Sequence, residues 1–194
     1  MNDMLTRLEP GPAVAGLWIA FVISWAAAAF WANRTEKRVS LAAEAPYRLL
    51  LIVGTLLFVV PAHGYQGWMR LWQVNLAEAW ICVALIAVGI AFAWWARVHL
   101  GRLWSARITK KAGHRIVDTG PYGLTRHPIY TGILLAILAT MVAKGTLAGI
   151  AGAVLIAASF YVKARQEERF LREELGAEAY DGYSRRVPML IPFA

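Results

Sequence analysis

Five stretches of this chain, approximately residues 13–32, 47–61, 77–96, 129–143 and 145–162, are apolar for long enough to cross or nearly cross a bilayer. No other feature restricts the fold so strongly. A hydrocarbon core takes roughly 20 helical residues, and within it every backbone N–H and C=O must be satisfied by the protein itself. Each stretch is therefore expected to be a helix, the short second and fourth by tilting or borrowing flanking residues. Composition agrees, with hydrophobic residues at 59% and charged ones at 16% of the 194, and no period among the glycines. Intrinsic disorder and low-complexity structure are excluded. The expected fold is all-α: an integral membrane bundle of about five transmembrane helices with a cytoplasmic loop and a C-terminal helical tail. It forms a single domain, 1–194, whose first three helices occupy 1–97.

The formal net charge of +8 does not signal a nucleic-acid partner, because its distribution has a simpler cause. Arg34, Lys37, Arg38 and Arg48 lie between the first two stretches, and Arg97, Arg102, Arg107, Lys110, Lys111, Arg115 and Arg126 between the third and fourth. The tail adds Lys163, Arg165, Arg169, Arg172, Arg185 and Arg186, leaving Arg7, Arg70 and Lys144 for the opposite side. The excess of basic residues places the N-terminus outside and the tail in the cytoplasm of an inner or cytoplasmic membrane. Arg7 is offset by Asp3 and Glu9, so the first stretch does not read as a cleaved signal peptide. Trp31, Trp68, Trp72, Trp80, Trp94, Trp95 and Trp104 fall near stretch ends, as interfacial indoles do, while Trp18 and Trp25 read as packing residues. Cys82, alone in an apolar stretch, also packs, and His63 and His99 read as boundary residues. No set of histidines, cysteines and carboxylates has metal-ligand spacing. Gly145, Gly149 and Gly152 are expected at close helix contacts.

Chemistry is confined to two cytoplasmic segments. The first, 98–127, ends in Gly120-Pro121-Tyr122-Gly123-Leu124-Thr125-Arg126-His127-Pro128-Ile129-Tyr130. The second is the tail from Lys163. A tight turn at Ala143-Lys144-Gly145 makes the last two stretches an antiparallel hairpin, which brings Arg126–Tyr130 beside Lys163–Glu168. Pro128 suits the first helical turn and puts His127 at the cap. Free N–H groups there, with Arg126, would favour a carboxylate or phosphate. Tyr130 follows His127 by three residues and shares its face. Glu167 and Glu168, about 100° apart on a helix, cannot both face one pocket. One is expected to face it, and the other to lie in solvent or pair with Arg165 or Arg172.

The run Arg126-His127-Pro128-Ile129-Tyr130-Thr131-Gly132, with Gly120-Pro121-Tyr122 before it and Arg165-Gln166-Glu167-Glu168 one hairpin later, resembles the isoprenylcysteine carboxyl methyltransferase family. The likeness covers the C-terminal half, including Gly113-His114-Arg115-Ile116-Val117 and Tyr180, Tyr183, Arg186 and Pro188. It implies a helix bundle binding S-adenosyl-L-methionine at its cytosolic face, enclosed by the loop and the tail, so that 98–194 is the cofactor-binding half. It implies cofactor contacts from His114, Gly120, Tyr122, His127, Tyr130, Glu167 and Glu168, catalytic roles for Arg126 and Glu167, and acceptor contacts from Arg126 and Arg165. Arg165 stands two residues before the glutamate pair where the family often has four. The acceptor implied is an amphiphilic or small molecule beside the lipid bilayer: an isoprenylcysteine-like carboxylate, a phospholipid amine as in the similar phospholipid N-methyltransferases, or a thiol. No metal is implied. Two other readings stand beside it. One is a membrane reductase of the sterol-reductase type using NADPH. The other is a non-enzymatic small membrane protein, disfavoured because Ser24, Thr55, Glu78, Thr140 and Ser159 are almost the only polar residues in the spans.

Overall fold

A computed structural model describes residues 9–59 and 69–193. Asp3, Arg7, Pro61, His63 and Trp68 lie outside the described residues. Six helices and a two-stranded ribbon follow in the order α1 (Pro10–Ala28), β1 (Thr35–Arg38), α2 (Leu41–Val59), α3 (Leu76–Leu100), β2 (Thr109–Lys111), α4 (Pro128–Lys144), α5 (Leu147–Leu175) and α6 (Ala177–Arg186). Each of the five apolar stretches carries one of the helices α1 to α5. Four of the helices, α1, α2, α3 and α5, are long and apolar enough to cross a membrane, while α4 has only 17 residues. At 1.5 Å per residue α4 is about 26 Å long, slightly short of a hydrocarbon core.

The bundle is assembled from two close helix pairs, α3 on α4 and α2 on α5, with α1 laid against α3. Glycine makes both approaches possible. A Cβ on Gly89 would stand 2.5 Å from the Gly132 carbonyl, and one on Gly152 would stand 2.7 Å from the Gly54 carbonyl. Small residues let membrane helices meet backbone to backbone. Of the three glycines expected in such contacts only Gly152 makes one. Gly145 instead caps α4 in the left-handed region (φ 60°), where a side chain would collide with the Trp72 carbonyl. Gly149 gives its N–H to Thr146 Oγ1, the N-cap of α5.

Two features position the site. Only Gly145 and Thr146 join α4 to α5, so the pair is a tight hairpin. Helix α5 then continues unbroken for 29 residues, about 43 Å, and carries its polar last third beyond any hydrocarbon layer. On the same side β1 pairs antiparallel with β2, Thr35 opposite Lys111 and Arg38 opposite Thr109. The loops after α1 and α3 are thereby tied together, a pairing that no sequence signal indicated.

Several residues read as interfacial or loop groups are interior. Arg97 has no exposed surface: it lies on α3 and donates to the carbonyls of Ala28, Trp31 and Gly101, closing the C-terminal end of α1. Trp104 is buried, and Trp94 packs against Trp25 with centroids 5.3 Å apart. Trp18 is a packing residue and hydrogen-bonds Thr140 Oγ1 at 3.0 Å. Cys82 is buried in α3.

Candidate active site

Where α4 begins and α5 leaves the bundle, a cavity of about 240 Å³ opens, walled by the loop 103–117, the Tyr122 turn, both helices and α6. Its centre is an aromatic stack. His127 occupies the N-cap position of α4 and Pro128 its first turn. The His127 and Tyr130 rings are 5.3 Å apart and nearly parallel, and Tyr130 stacks in turn on Phe160 of α5 at 5.0 Å. The Tyr130 hydroxyl donates to Glu167 Oε2 at 2.8 Å, fixing the carboxylate in the wall. Lys163, one turn before Glu167 on the same face, lines the cavity too, and donates to the Ala106 carbonyl at 2.9 Å. Arg107 completes this side, held by Glu44, whose side chain is fully buried between Arg48 and Arg107.

His114 also lines the cavity, and burial pushes its imidazole below the ordinary value of 6.5. Tyr180 and Tyr183, on the inner face of α6, close the space from the tail side, and burial raises both hydroxyls well above the usual tyrosine range. Among the described residues no group of three or more His, Cys, Asp or Glu is placed to hold a metal ion.

The expected site residues divide here. His114, Tyr122, Arg126, His127, Tyr130 and Glu167 all line the cavity. Three others do not. Gly120 turns with φ 57° against the His99 ring, which itself bonds Thr119 and stacks on Tyr122, so both residues build the turn behind the wall. Arg165 is exposed on the outer face of α5. Glu168 is buried and faces away from the cavity, paired neither with Arg165 nor with Arg172 but with Arg126 Nε (2.7 Å) and His127 Nε2 (3.2 Å). Arg172 holds Asp181 of α6 instead.

The corner expected to favour an anion at the start of α4 holds the Glu168 carboxylate, beside Arg126 and His127. Arg126 gives Nη1 to the carbonyls of Ser184 and Val187, while the backbone N–H groups of Arg126 and His127 donate to Pro188 and Met189. Thr131 Oγ1 adds a bond to the Leu190 carbonyl at 2.6 Å. Residues 184–190 thus form a strap over α4, and the arginine is a clasp for it. Sequence reasoning also passed over Lys163, Arg107, Phe160 and Trp25. Lys163 had a signal, its four-residue spacing from Glu167; Arg107 had none, because its partner Glu44 is 63 residues away.

The isoprenylcysteine carboxyl methyltransferase family profile matches residues 81–173, which contain the stack, Glu167 and every cavity-lining residue of α3, α4 and the loop between them. That segment, just under half of the chain, matches the family. The protein is a membrane methyltransferase. Its relatives include protein-S-isoprenylcysteine O-methyltransferase B of Arabidopsis thaliana, 27% identical over 156 residues, 76% of this chain and 74% of the plant protein. A cobalt-zinc-cadmium resistance protein of Cupriavidus metallidurans is 35% identical over 73% of this chain and 61% of its own length. Methanethiol S-methyltransferase 2 of Bradyrhizobium diazoefficiens is 34% identical over 62% of this chain, which spans about half of that enzyme, 49%. The methyltransferase is thus similar both to enzymes named for a carboxyl acceptor and to enzymes named for a thiol.

Proposed function

We propose that this methyltransferase takes its methyl group from S-adenosyl-L-methionine bound in the cavity between α4, α5 and the tail. The observation that carries the reading is the carboxylate of Glu167, fixed by Tyr130 beside three stacked aromatic rings. Aromatic faces and a carboxylate together favour a cation held out of water. Around them Lys163, Arg107 and His114 can satisfy a carboxylate, and the apolar Ile116, Val117 and Leu171 offer surface to a flat ring. The donor set therefore fits a molecule carrying a sulfonium, an amino acid and a purine.

When bound, S-adenosyl-L-methionine supplies a sulfonium methyl already activated for transfer. What remains for the protein is to hold an acceptor in line and keep water out, catalysis by positioning and desolvation. Tyr130 and Glu167 orient the donor side, and His127 supports Tyr130 by stacking. Tyr180 and Tyr183 exclude water from the tail side. Arg126 is a positioning residue, acting through Glu168 and the strap. The acceptor is a small thiol or an amphiphilic carboxylate, reached from the cytoplasmic face of the membrane, the side on which an excess of basic residues supports putting the loop 101–127 and α6.

Calorimetric titration of the purified protein with S-adenosyl-L-methionine, S-adenosylhomocysteine and NADPH tests this reading. Both adenosyl compounds bind and NADPH does not. Glu167→Gln weakens S-adenosyl-L-methionine at least about tenfold, roughly 1.4 kcal/mol, with the melting temperature retained. Binding of NADPH alone would overturn the proposal.

A further inference from the structure

Tryptophan lines the cavity where α1 meets it. Trp25 is the one residue of α1 that lines it. Its indole meets Trp104 edge to face, centroids 5.6 Å apart at 89°, and Trp94 at 5.3 Å and 71°. Trp104 is 8% exposed and cannot swing aside freely, because the Arg97 guanidinium lies 4.4 Å from its ring centroid. Arg97 is in turn anchored by its three bonds to the carbonyls of Ala28, Trp31 and Gly101. Charge-assisted bonds of a fully buried cation are costly to break, so this wall is stiff. Beside it Ile133 and Phe160 fill the space between α4 and α5.

We propose that the Trp25–Trp104 wall fixes the acceptor as a small thiol and rejects acceptors carrying a long apolar chain. The inference rests on the methyltransferase reading and narrows it. On this proposal a prenyl or acyl chain attached to a reacting head in the cavity would run into the apolar packing of the helices, where Trp25, Trp104, Ile133 and Phe160 line the wall. A short thiol carries no such chain. Its sulfur forms the new S–CH₃ bond as the sulfonium C–S bond breaks, the thiol proton leaves to water, and the donor departs as a neutral thioether.

The test compares ethanethiol with N-acetyl-S-farnesylcysteine in the parent, in Trp25→Ala and in Trp25→Leu, which keeps an apolar side chain in the wall should the alanine variant fold poorly. Trp95→Ala, altering an exposed indole, is the control. A farnesyl diazirine probe, mapped by mass spectrometry after illumination, reports access without turnover. The parent methylates ethanethiol with kcat/KM at least about tenfold above that for the farnesyl compound, and the probe spares Ile133 and Phe160. Either Trp25 variant shifts the ratio at least about tenfold towards the farnesyl compound and gains labelling at those residues. Equal or better use of the farnesyl compound by the parent, labelling of the parent's wall, or equal loss of both activities in both variants overturns the assignment. Those outcomes with S-adenosylhomocysteine still binding leave the methyltransferase reading standing; absence of that binding overturns both.

Discussion

Arg126 reaches the cavity wall with its guanidinium already committed, to Glu168 on one side and to the Ser184 and Val187 carbonyls on the other. Removing the carboxylate leaves a largely buried cation unpaired. Glu168→Ala is therefore expected to cost about 3–5 kcal/mol, read as a lower midpoint in thermal unfolding of the detergent-solubilised protein. An unchanged midpoint would show the clasp to be inert. The sequence displayed Arg126, His127, Tyr130 and Glu167 plainly, since they share a helix face or a hairpin end. It could not display the strap, because Pro188 and Met189 contribute carbonyls, which every residue has. His114 yields a prediction in pH. Burial lowers its pKa below 6.5, so the unfolded chain takes up the proton first as pH falls. Its contribution is complete above pH 6.5 and lost as pH drops through the lower folded value. In His114→Gln the decline of the unfolding midpoint below pH 6.5 is shallower; an identical pH profile would contradict it.

Among the helices, length was legible and partnership was not. Apolar runs set where α1, α3 and α4 lie to within a few residues, whereas the pairing of α3 with α4 and α2 with α5 depends on glycines that look alike in the sequence. Gly16 has open space around a would-be Cβ, while at Gly89 that atom meets backbone at 2.5 Å. Gly89→Ala is accordingly expected to destabilise the bundle by about 1–3 kcal/mol and Gly16→Ala to leave it nearly unchanged, measured side by side by thermal unfolding. Equal effects would mean that α3 and α4 can part without penalty. The unbroken run of α5 to Leu175 was half hidden, because its polar last third reads as a tail when only hydropathy is followed. The β1–β2 ribbon was wholly hidden, for its short charged strands sit in segments that otherwise read as loop.

For the whole molecule, the basic residues crowd the end that also carries the cavity, the ribbon and α6. We expect that end to face the cytoplasm, and a reporter fused after Ala194 to be active only in its cytoplasmic form. Activity of an extracytoplasmic reporter at that position would invert the arrangement. The strap, finally, meets α4 through its own main chain. Exchanging one side chain for another between Val187 and Leu190 leaves its carbonyls where the donors of Arg126, His127 and Thr131 find them. Inserting or deleting a single residue there throws each carbonyl out of register with its donor. Length is therefore expected to matter more than spelling at Met189 and Leu190, whereas Val187, buried against Tyr180 and Tyr183, answers for both.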